Sequence, residues 1–334
     1  MLTLGIETSC DETACGIVDH ELNVLANKIF TQEEYHRRHG GVVPEIAARA
    51  HLEKINDVVQ SAIDSAGISA EDIDLIAFTR GPGLIGPLLV GASFAMGMGS
   101  MLGKPAKGVN HLEGHLGAAY LNCKALSPPF ICLTVSGGHT EICLVQNHFK
   151  YQIIGKTRDD AAGEAFDKCG KILQLGYPAG PIISKLAKNG NRDFIRFPQG
   201  MNMKNNFEFS FSGLKTAFLR KMSEISEDVK KKHLNDICAS LESAIVEILV
   251  KKTIRAAHKN ACSKVVVCGG VSANHYLRQR MQEDCTKQNL NLIIPELAFC
   301  TDNGAMIAAI AQLRENQHIF PIRTQVKPSL SWND

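Results

Sequence analysis

The sequence has little net charge, no paired-cysteine motif and no leader-like N-terminus. Its 11 cysteines include no Cys-x-x-Cys, and an odd number cannot close into a full set of disulfides. With no basic-then-apolar leader, this pattern predicts a reduced, cytoplasmic protein whose cysteines are small core residues. The 36 basic and 34 acidic residues leave a net charge of +2. That balance predicts neither strong nucleic-acid binding nor membrane binding, so a polyanionic substrate would need a local basic patch or a partner.

One uncharged run approaches the length of a membrane span. It extends from Leu84 to Leu102 and contains Pro87, four glycines and two serines. About 20 predominantly apolar residues are needed to cross a bilayer, and this run is diluted by proline, glycine and polar residues. We therefore predict a buried helix and no membrane association.

The hydrophobic and turn patterns predict two similar α/β halves. Each half reads as a strand meander followed by helix, strand and helix, with a short polar loop between its first two strands. We assign 1–128 to an N-terminal half that carries the histidine helix described next. We assign 129–334 to a C-terminal half with a phosphate loop, nucleotide-contact motifs and Asp302. A cleft between two such halves is where a nucleotide is expected to bind.

Two histidines four residues apart, His111 and His115, would share one face of a helix and could bind one metal ion. A zinc peptidase motif would need Glu directly after the first histidine, and Leu112 stands there. Asp302, in Thr301-Asp302-Asn303-Gly304, is a candidate third ligand. Two His and one carboxylate are typical of Fe²⁺ and also feasible for Zn²⁺. The alternative is a pair of capping or core histidines.

Two glycine-containing segments are candidates for nucleotide contact. Ser136-Gly137-Gly138 joins two predicted strands, and its backbone N–H groups could face a phosphate, although a plain hairpin turn is the alternative. Gly269 to Asn274 follows a buried strand and opens a helix, but it is not G-x-G-x-x-G, so a dinucleotide fold gains no support. The Asn274 amide could pair with an adenine edge or cap the helix.

Three carboxylates, Asp160, Glu164 and Asp167, are spaced i, i+4 and i+7 and would share a helix face. Like charges at this spacing disfavour a helix unless a metal, a ribose hydroxyl or a lysine compensates, or the face is simply solvated. Gly180 could bring backbone close to a ribose or form only a turn.

Acidic residues also occupy the first strand loop, where Asp11 and Glu12 stand side by side. They could position an attacking amine or accept its proton, although acids are also common in ordinary turns.

The chain resembles the TsaD family of tRNA threonylcarbamoyl-adenosine transferases, most closely its bacterial branch. The matching segments run in order along almost the whole chain: 5–13, 40–45, 81–84, 111–115, 135–140, 159–168, 209–216, 269–274 and 300–305. The resemblance implies an ASKHA (actin/hexokinase/Hsp70-like) fold, with two related halves of mixed sheet flanked by helices. It implies one divalent metal on His111, His115 and Asp302. It also implies substrate contacts from Thr134, Val135, Ser136, Gly137, Gly138, Asp167, Gly180 and Asn274.

The expected reaction moves threonylcarbamoyl from its adenylate to N6 of the adenosine just 3′ of the anticodon, in tRNAs that read codons beginning with A. AMP leaves. The bacterial relatives work with a paralogue, TsaB, and an ATPase, TsaE. Two positions depart from the family pattern, since Ala179 replaces a frequent glycine and Gly170 a frequent alanine. The tail 326–332 also differs from the common Arg-Pro-Arg-Trp ending, which puts tail-dependent tRNA contacts in doubt.

Three other functions remain open from the residues. They are a metal-dependent peptidase, an ASKHA small-molecule kinase, and a scaffold that binds nucleotide without turnover. The missing Glu after His111 argues against a peptidase. Paired imidazoles suit the Mg²⁺ of a kinase poorly, because that ion prefers oxygen ligands.

Overall fold

The computed structural model describes residues 1–201, 203, 205–317 and 324–333. In chain order the strands are β1 (Leu2–Glu7), β2 (Glu12–Asp19), β3 (Val24–Thr31), β4 (Leu75–Gly81), β5 (Ala106–Asn110), β6 (Phe130–Val135), β7 (Thr140–Asn147), β8 (Lys150–Lys156), β9 (Lys264–Cys268) and β10 (Asn291–Ile293). The helices are α1 (Glu33–Arg37), α2 (Pro44–Ala66), α3 (Ile85–Leu102), α4 (His111–Asn122), α5 (Ala162–Ile172), α6 (Ala179–Ala187), α7 (Ser212–Glu224), α8 (Glu227–Lys232), α9 (Leu234–Lys259), α10 (His275–Lys287) and α11 (Gly304–Asn316).

Each of two units is built on one five-stranded mixed sheet. Unit 1 comprises Met1–Leu126 and the described residues of Pro295–Asp334, and its sheet has the order β3-β2-β1-β4-β5. Unit 2 is Ser127–Ile294, with the order β10-β9-β6-β7-β8. In both sheets the first three strands form an antiparallel meander and the last two run parallel to the first strand. The two sheets have the same topology, as the repeated pattern in the sequence predicts.

The C-terminal helix α11 packs in unit 1, whereas the sequence placed 129–334 in one half. The reason is close packing on glycine. A Cβ at Gly5 would lie 2.3 Å from the Gly304 carbonyl oxygen, and one at Gly16 would lie 2.1 Å from the Ala305 backbone nitrogen. Only glycine lets the first turn of α11 lie directly on β1 and β2. Asp302 therefore belongs to the unit that carries α4, although the first boundary, after Leu126, is two residues from the expected one.

The strand meander and the helix, strand and helix that follow it are present in both units, as the sequence patterns predict. The short helices α1 and α8 are not predicted by these patterns. All 11 cysteines are free thiols and nine of them are buried, which confirms that most are small core residues. The described part of the tail packs on unit 1, where Lys327 N donates to Arg80 O (2.8 Å) and Gly83 N donates to Pro328 O (3.0 Å).

The apolar run forms α3, which is long and apolar enough to cross a bilayer by length and composition alone. It packs against α2 and β4, and 33% of its apolar window is buried. Thr8 Oγ1 donates to the Pro87 carbonyl oxygen (2.9 Å), and a Cβ at Gly91 would lie 2.2 Å from the same hydroxyl. Pro87 and Gly91 thus serve close packing inside unit 1, whereas Leu89 and Met101 are exposed, so the prediction of a buried helix is only partly correct.

Candidate metal and substrate sites

The histidine helix α4 begins where β5 ends. The Asn110 side chain caps it, since Asn110 Oδ1 accepts a hydrogen bond from Leu112 N (2.9 Å). His111 is therefore the first helical residue and His115 lies one turn further on the same face. Both are buried, with 5% and 0% of their surface exposed, and their ring centroids are 4.6 Å apart.

Asp302 reaches these histidines because α11 crosses α4 at glycines. A Cβ at Gly114 would lie 2.7 Å from Ile307 Cδ1, and one at Gly117 would lie 2.5 Å from the Met306 carbonyl oxygen. This close crossing brings the residues just before α11 to the start of α4.

The three predicted ligands come together in unit 1. Asp302 Oδ1 lies 3.4 Å from His115 Nε2 and 3.7 Å from His111 Nε2. Their ligand atoms all lie within 4.8 Å of one another. A first-row cation binds nitrogen and oxygen at about 2.0–2.2 Å, so a triangle of this size fits one ion. These residues could hold one metal ion, with two imidazoles and one carboxylate as donors.

A fourth residue, Glu7, was missed by the sequence reading. Its side chain is fully buried at the end of β1, where Glu7 Oε2 accepts from His111 Nδ1 (3.0 Å) and from Thr79 Oγ1 (2.6 Å). Glu7 Oε1 accepts from Ser9 N (2.5 Å). A carboxylate on one imidazole nitrogen fixes the ring and leaves the other nitrogen for a metal. The sign of this role in the sequence is that Glu7 is the one acid in a mostly apolar strand.

The ionisable groups of this cluster shift one another's pKa values. Burial would raise the pKa of Glu7, but the His111 charge and the hydrogen bonds from His111, Thr79 and Ser9 lower it to about 2. Burial would lower the pKa of His111, yet Glu7 and Asp302 raise it to about 9. Burial, opposed by His111, raises the pKa of Asp302 to about 6. The acids outnumber the single stabilised imidazolium, so a divalent cation would be favoured here.

The loop acids Asp11 and Glu12 lie near the same cluster. Burial, followed by the charges of Asp11 and Asp302, raises the pKa of Glu12 well above its usual value. Asp11 in turn contributes to the raised pKa of Asp302. The structure thus places both residues within electrostatic reach of Asp302, and their catalytic role stays a prediction.

The acid inside the histidine motif, Glu113, has a structural partner. Its carboxylate is 2% exposed and forms an ion pair with Arg314 of α11, at 2.5 Å between Oε1 and Nη2. A carboxylate engaged in this way is not placed to act on a metal-bound water as a peptidase requires.

In unit 2 the loop 136–138 is a tight hairpin between β6 and β7. Ser136 N donates to His139 O (2.8 Å), and His139 N donates to Ser136 Oγ (3.1 Å). Gly137 and Gly138 are exposed, and a Cβ on either would have nothing within 4 Å. Packing within unit 2 does not require glycine there, whereas close approach of a ligand to the backbone would.

The remaining residues predicted in this loop, Thr134 and Val135, are buried in β6. Gly269, which follows β9, has φ +92, and a Cβ there would lie 2.5 Å from the Val135 carbonyl oxygen. The two candidate nucleotide segments are therefore in contact within unit 2.

Asp167 binds the backbone at the start of α6, one residue before Gly180. Asp167 Oδ1 accepts from Ala179 N (2.8 Å), and Gly180 is the next residue in the helix. Asp160 precedes α5, so the prediction that the three acids share one helix face is wrong for this residue. Asp160 and Glu164 are compensated by lysine, one of the alternatives left open. Lys168 Nζ lies 2.6 Å from Asp160 Oδ1 and 2.7 Å from Glu164 Oε1.

Asn274 caps α10, and both the oxygen and the nitrogen of its side-chain amide already form hydrogen bonds. Its Oδ1 accepts from Leu277 N (2.8 Å), and its Nδ2 donates to Glu242 Oε1 (2.8 Å). Glu242 is 1% exposed and also binds Arg192 Nη2 at 3.1 Å. Pairing of this amide with an adenine edge would require these hydrogen bonds to be exchanged, so the capping alternative describes the structure.

Sequence comparison gives a consistent set of relatives. The matching family model is described as TsaD, tRNA N6-adenosine threonylcarbamoyltransferase, and covers residues 23–309. A protein of that name from Thermosipho africanus is 53% identical over 308 residues, 92% of each chain. One from Prosthecochloris aestuarii is 48% identical over 345 aligned positions, 99% of each chain. Another from Clostridium perfringens is 47% identical, covering 98% of this chain and 97% of its own.

Structural neighbours with low sequence identity share the fold. They include component A of the Acidaminococcus fermentans (R)-2-hydroxyglutaryl-CoA dehydratase, with TM-score 0.53 and 16% identity over 95% of this chain and 99% of that one. A ROK family glucokinase from Streptomyces griseus has TM-score 0.52 and 12% identity over 95% and 100%. Full-length HypF has TM-score 0.62 and 12% identity over 96% of this chain and 47% of its own. These neighbours confirm the predicted ASKHA fold.

Proposed function

Because the chain belongs to the tRNA N6-adenosine threonylcarbamoyltransferase family, we propose that it transfers a threonylcarbamoyl group to N6 of an adenosine in tRNA. The donor is threonylcarbamoyl-adenylate, the acceptor is the adenosine just 3′ of the anticodon in tRNAs reading codons that begin with A, and AMP leaves. The donor is a mixed anhydride, so the acyl group is already activated and no Ser or Cys nucleophile is required.

His111, His115 and Asp302 hold one divalent metal in this proposal. The observation that carries it is the convergence of their three ligand atoms within 4.8 Å, with Glu7 holding the far nitrogen of His111. The two-imidazole, one-carboxylate donor set favours Fe²⁺, with Zn²⁺ the alternative. A bound cation would supply positive charge to a phosphate or carbonyl oxygen.

Unit 2 supplies the contacts to the adenylate. The exposed backbone of Gly137 and Gly138, next to Ser136, Thr134 and Val135, faces a phosphate or the developing oxyanion. Asp167 and Gly180, joined at the start of α6, take the ribose. Asn274 contributes through its position at the start of α10, where Glu242 holds its side chain.

The proton of the attacking amine passes to a carboxylate of the first loop. Glu12 is the favoured acceptor because its raised pKa makes it a stronger base than an ordinary glutamate. Asp11 orients the amine. Neither role requires a covalent bond between the enzyme and the substrate.

The enzyme is expected to act in the cytoplasm with a TsaB-like paralogue and a TsaE-like ATPase. Of the alternatives, a metallopeptidase is disfavoured because Leu112 occupies the position of the catalytic glutamate in the zinc peptidase motif, and the nearby Glu113 is paired with Arg314. A small-molecule kinase is disfavoured because its Mg²⁺ prefers oxygen ligands to paired imidazoles.

The direct test incubates unmodified tRNA and threonylcarbamoyl-adenylate with the full chain and its partners, followed by nucleoside analysis by mass spectrometry. His111→Ala should lose the product, because the ligand set is broken. His20→Ala is the control, since His20 is an exposed histidine of the same unit. Equal yield from His111→Ala and His20→Ala would remove the metal set from the mechanism. Peptide hydrolysis by metal-loaded protein without tRNA modification would favour the peptidase.

A further inference from the structure

The near-neutral net charge of the chain is the sum of opposite formal charges on its two units. Residues 127–294, which are unit 2, contain 24 Lys and Arg against 15 Asp and Glu, while the rest of the chain contains 12 against 19. Unit 2 therefore carries a formal charge of +9 and unit 1 a charge of −7. Polyanion binding depends on local charge, so a nucleic acid is attracted to unit 2.

Within unit 2 the positive charge is concentrated where acids are missing. Residues 248–282 contain no Asp or Glu and seven Lys or Arg. On α9, three of these cations, Lys251, Arg255 and Lys259, are spaced i, i+4 and i+8 and so lie on one helix face. At 1.5 Å per residue they form a row about 12 Å long.

The described residues of a second acid-free segment, 199–201, 203 and 205–207, lie along this row. They include two Asn and one Gln. Lys251 Nζ donates to Gln199 Oε1 (3.3 Å), Arg255 Nη1 donates to Met203 O (3.2 Å), and Lys259 Nζ lies 5.1 Å from the centre of the Phe207 ring. We call the three cations together with the described residues 199–201, 203 and 205–207 the basic ridge. Amide and cationic side chains are the groups that contact nucleic-acid phosphates.

Many other cations of unit 2 are neutralised by acids. Ion pairs hold Lys168 and Lys215 on Asp160, Arg192 on Glu242, and Arg280 on Glu247. Lys251 and Lys259 are exposed, and neither forms an ion pair with any residue that the structure describes. Lys251 contributes to the lowered pKa of Glu247, one turn earlier on α9, and both exposed lysines remain accessible to a ligand.

We propose that the basic ridge binds the sugar–phosphate backbone of tRNA. The proposal rests on the proposed function, which makes tRNA the substrate, and it assigns the attraction for that polyanion to one surface of unit 2. The competing explanation is that these cations serve only to hold 199–207 on α9.

The test measures binding of an unmodified tRNA transcript to the full chain between 50 and 200 mM salt, conditions in which phosphate contacts are resolved. The double variant Lys251→Gln/Lys259→Gln should lose about tenfold in affinity, and its log K against log salt slope should fall by about 1.4–1.8 for two phosphate contacts. The matched control is Lys188→Gln/Lys231→Gln, which removes two exposed lysines of the same unit off the ridge. It should change the slope by clearly less.

Phe207→Leu separates charge from packing, because Phe207 is buried and the substitution loosens 199–207 without changing its charge. It should keep the wild-type salt slope. The proposal that the ridge binds tRNA would be overturned if both double variants lost the same amount of salt slope. It would also be overturned if Phe207→Leu lost as much slope as the ridge variant. With the partners present, the ridge variant should raise KM for tRNA and leave kcat close to wild type. Failure of the wild type to modify tRNA would instead refute the proposed function.

Discussion

Gly170 on α5 and Ala179 on α6 form one packing contact between the two helices. A Cβ built at Gly170 would lie 2.1 Å from Ala179 Cβ, far inside ordinary van der Waals contact. Gly170 is on α5, and Ala179 is the first residue of α6. The backbone N–H of Ala179 also donates a hydrogen bond to Asp167. The alanine of one helix therefore fills the space that the glycine of the other leaves, so we expect the two positions to be coupled.

The magnitudes can be estimated for each change. Gly170→Ala should gain about 1 kcal/mol in helix propensity but lose about 1–3 kcal/mol or more to overpacking. Ala179→Gly removes a buried methyl group worth about 0.8 kcal/mol. In Gly170→Ala/Ala179→Gly the clash is absent, so the double variant should be close to wild type. We expect a coupling energy of about 1–3 kcal/mol.

The assay is urea unfolding of the wild type, both single variants and the double variant, followed by circular dichroism. The control pair is Gly97→Ala, at a helical glycine with nothing within 4 Å of the added Cβ, combined with Ala179→Gly. That pair should be additive. Additivity within about 0.5 kcal/mol for the Gly170 and Ala179 pair would refute the packing argument.

Three further predictions concern the metal set and the core. Glu7→Gln should weaken binding of Zn²⁺ or Fe²⁺ about 10–100-fold by loosening His111, measured by competition with a chelator. Metal affinity should rise about tenfold per pH unit as pH approaches the His111 pKa of about 9, because below it the imidazolium must lose a proton before it binds. Gly16→Ala should lower the free energy of unfolding by about 3 kcal/mol or more, since its Cβ would meet Ala305 N at 2.1 Å.

Controls accompany each of these measurements. Glu242→Gln changes an equally buried carboxylate of unit 2 and should leave metal affinity unchanged. A metal affinity that is flat between pH 6 and 9 would contradict the charged state assigned to His111. Gly97→Ala should be neutral or stabilising, so an effect equal to that of Gly16→Ala would mean that glycine flexibility, and not contact with α11, explains the loss.

The alternation of apolar strands, turn residues and helical periods was enough to predict both meanders and nearly all helices. Those signals are local, since a strand or helix end is set by residues within a few positions of it. The i, i+4 spacing of His111 and His115 also belongs to this class, because helix geometry alone places both rings on one face. The missed helices α1 and α8 are five and six residues long, too short to show a clear period.

The tertiary structure decided which distant residues meet. Asp302 lies nearly 190 positions after His115, and it reaches the histidines only because glycines on β1, β2 and α4 allow α11 to approach closely. The role of Glu7 likewise depends on a hydrogen bond across 104 positions. Local patterns constrain the elements, whereas contacts between elements depend on packing that no short window of sequence contains.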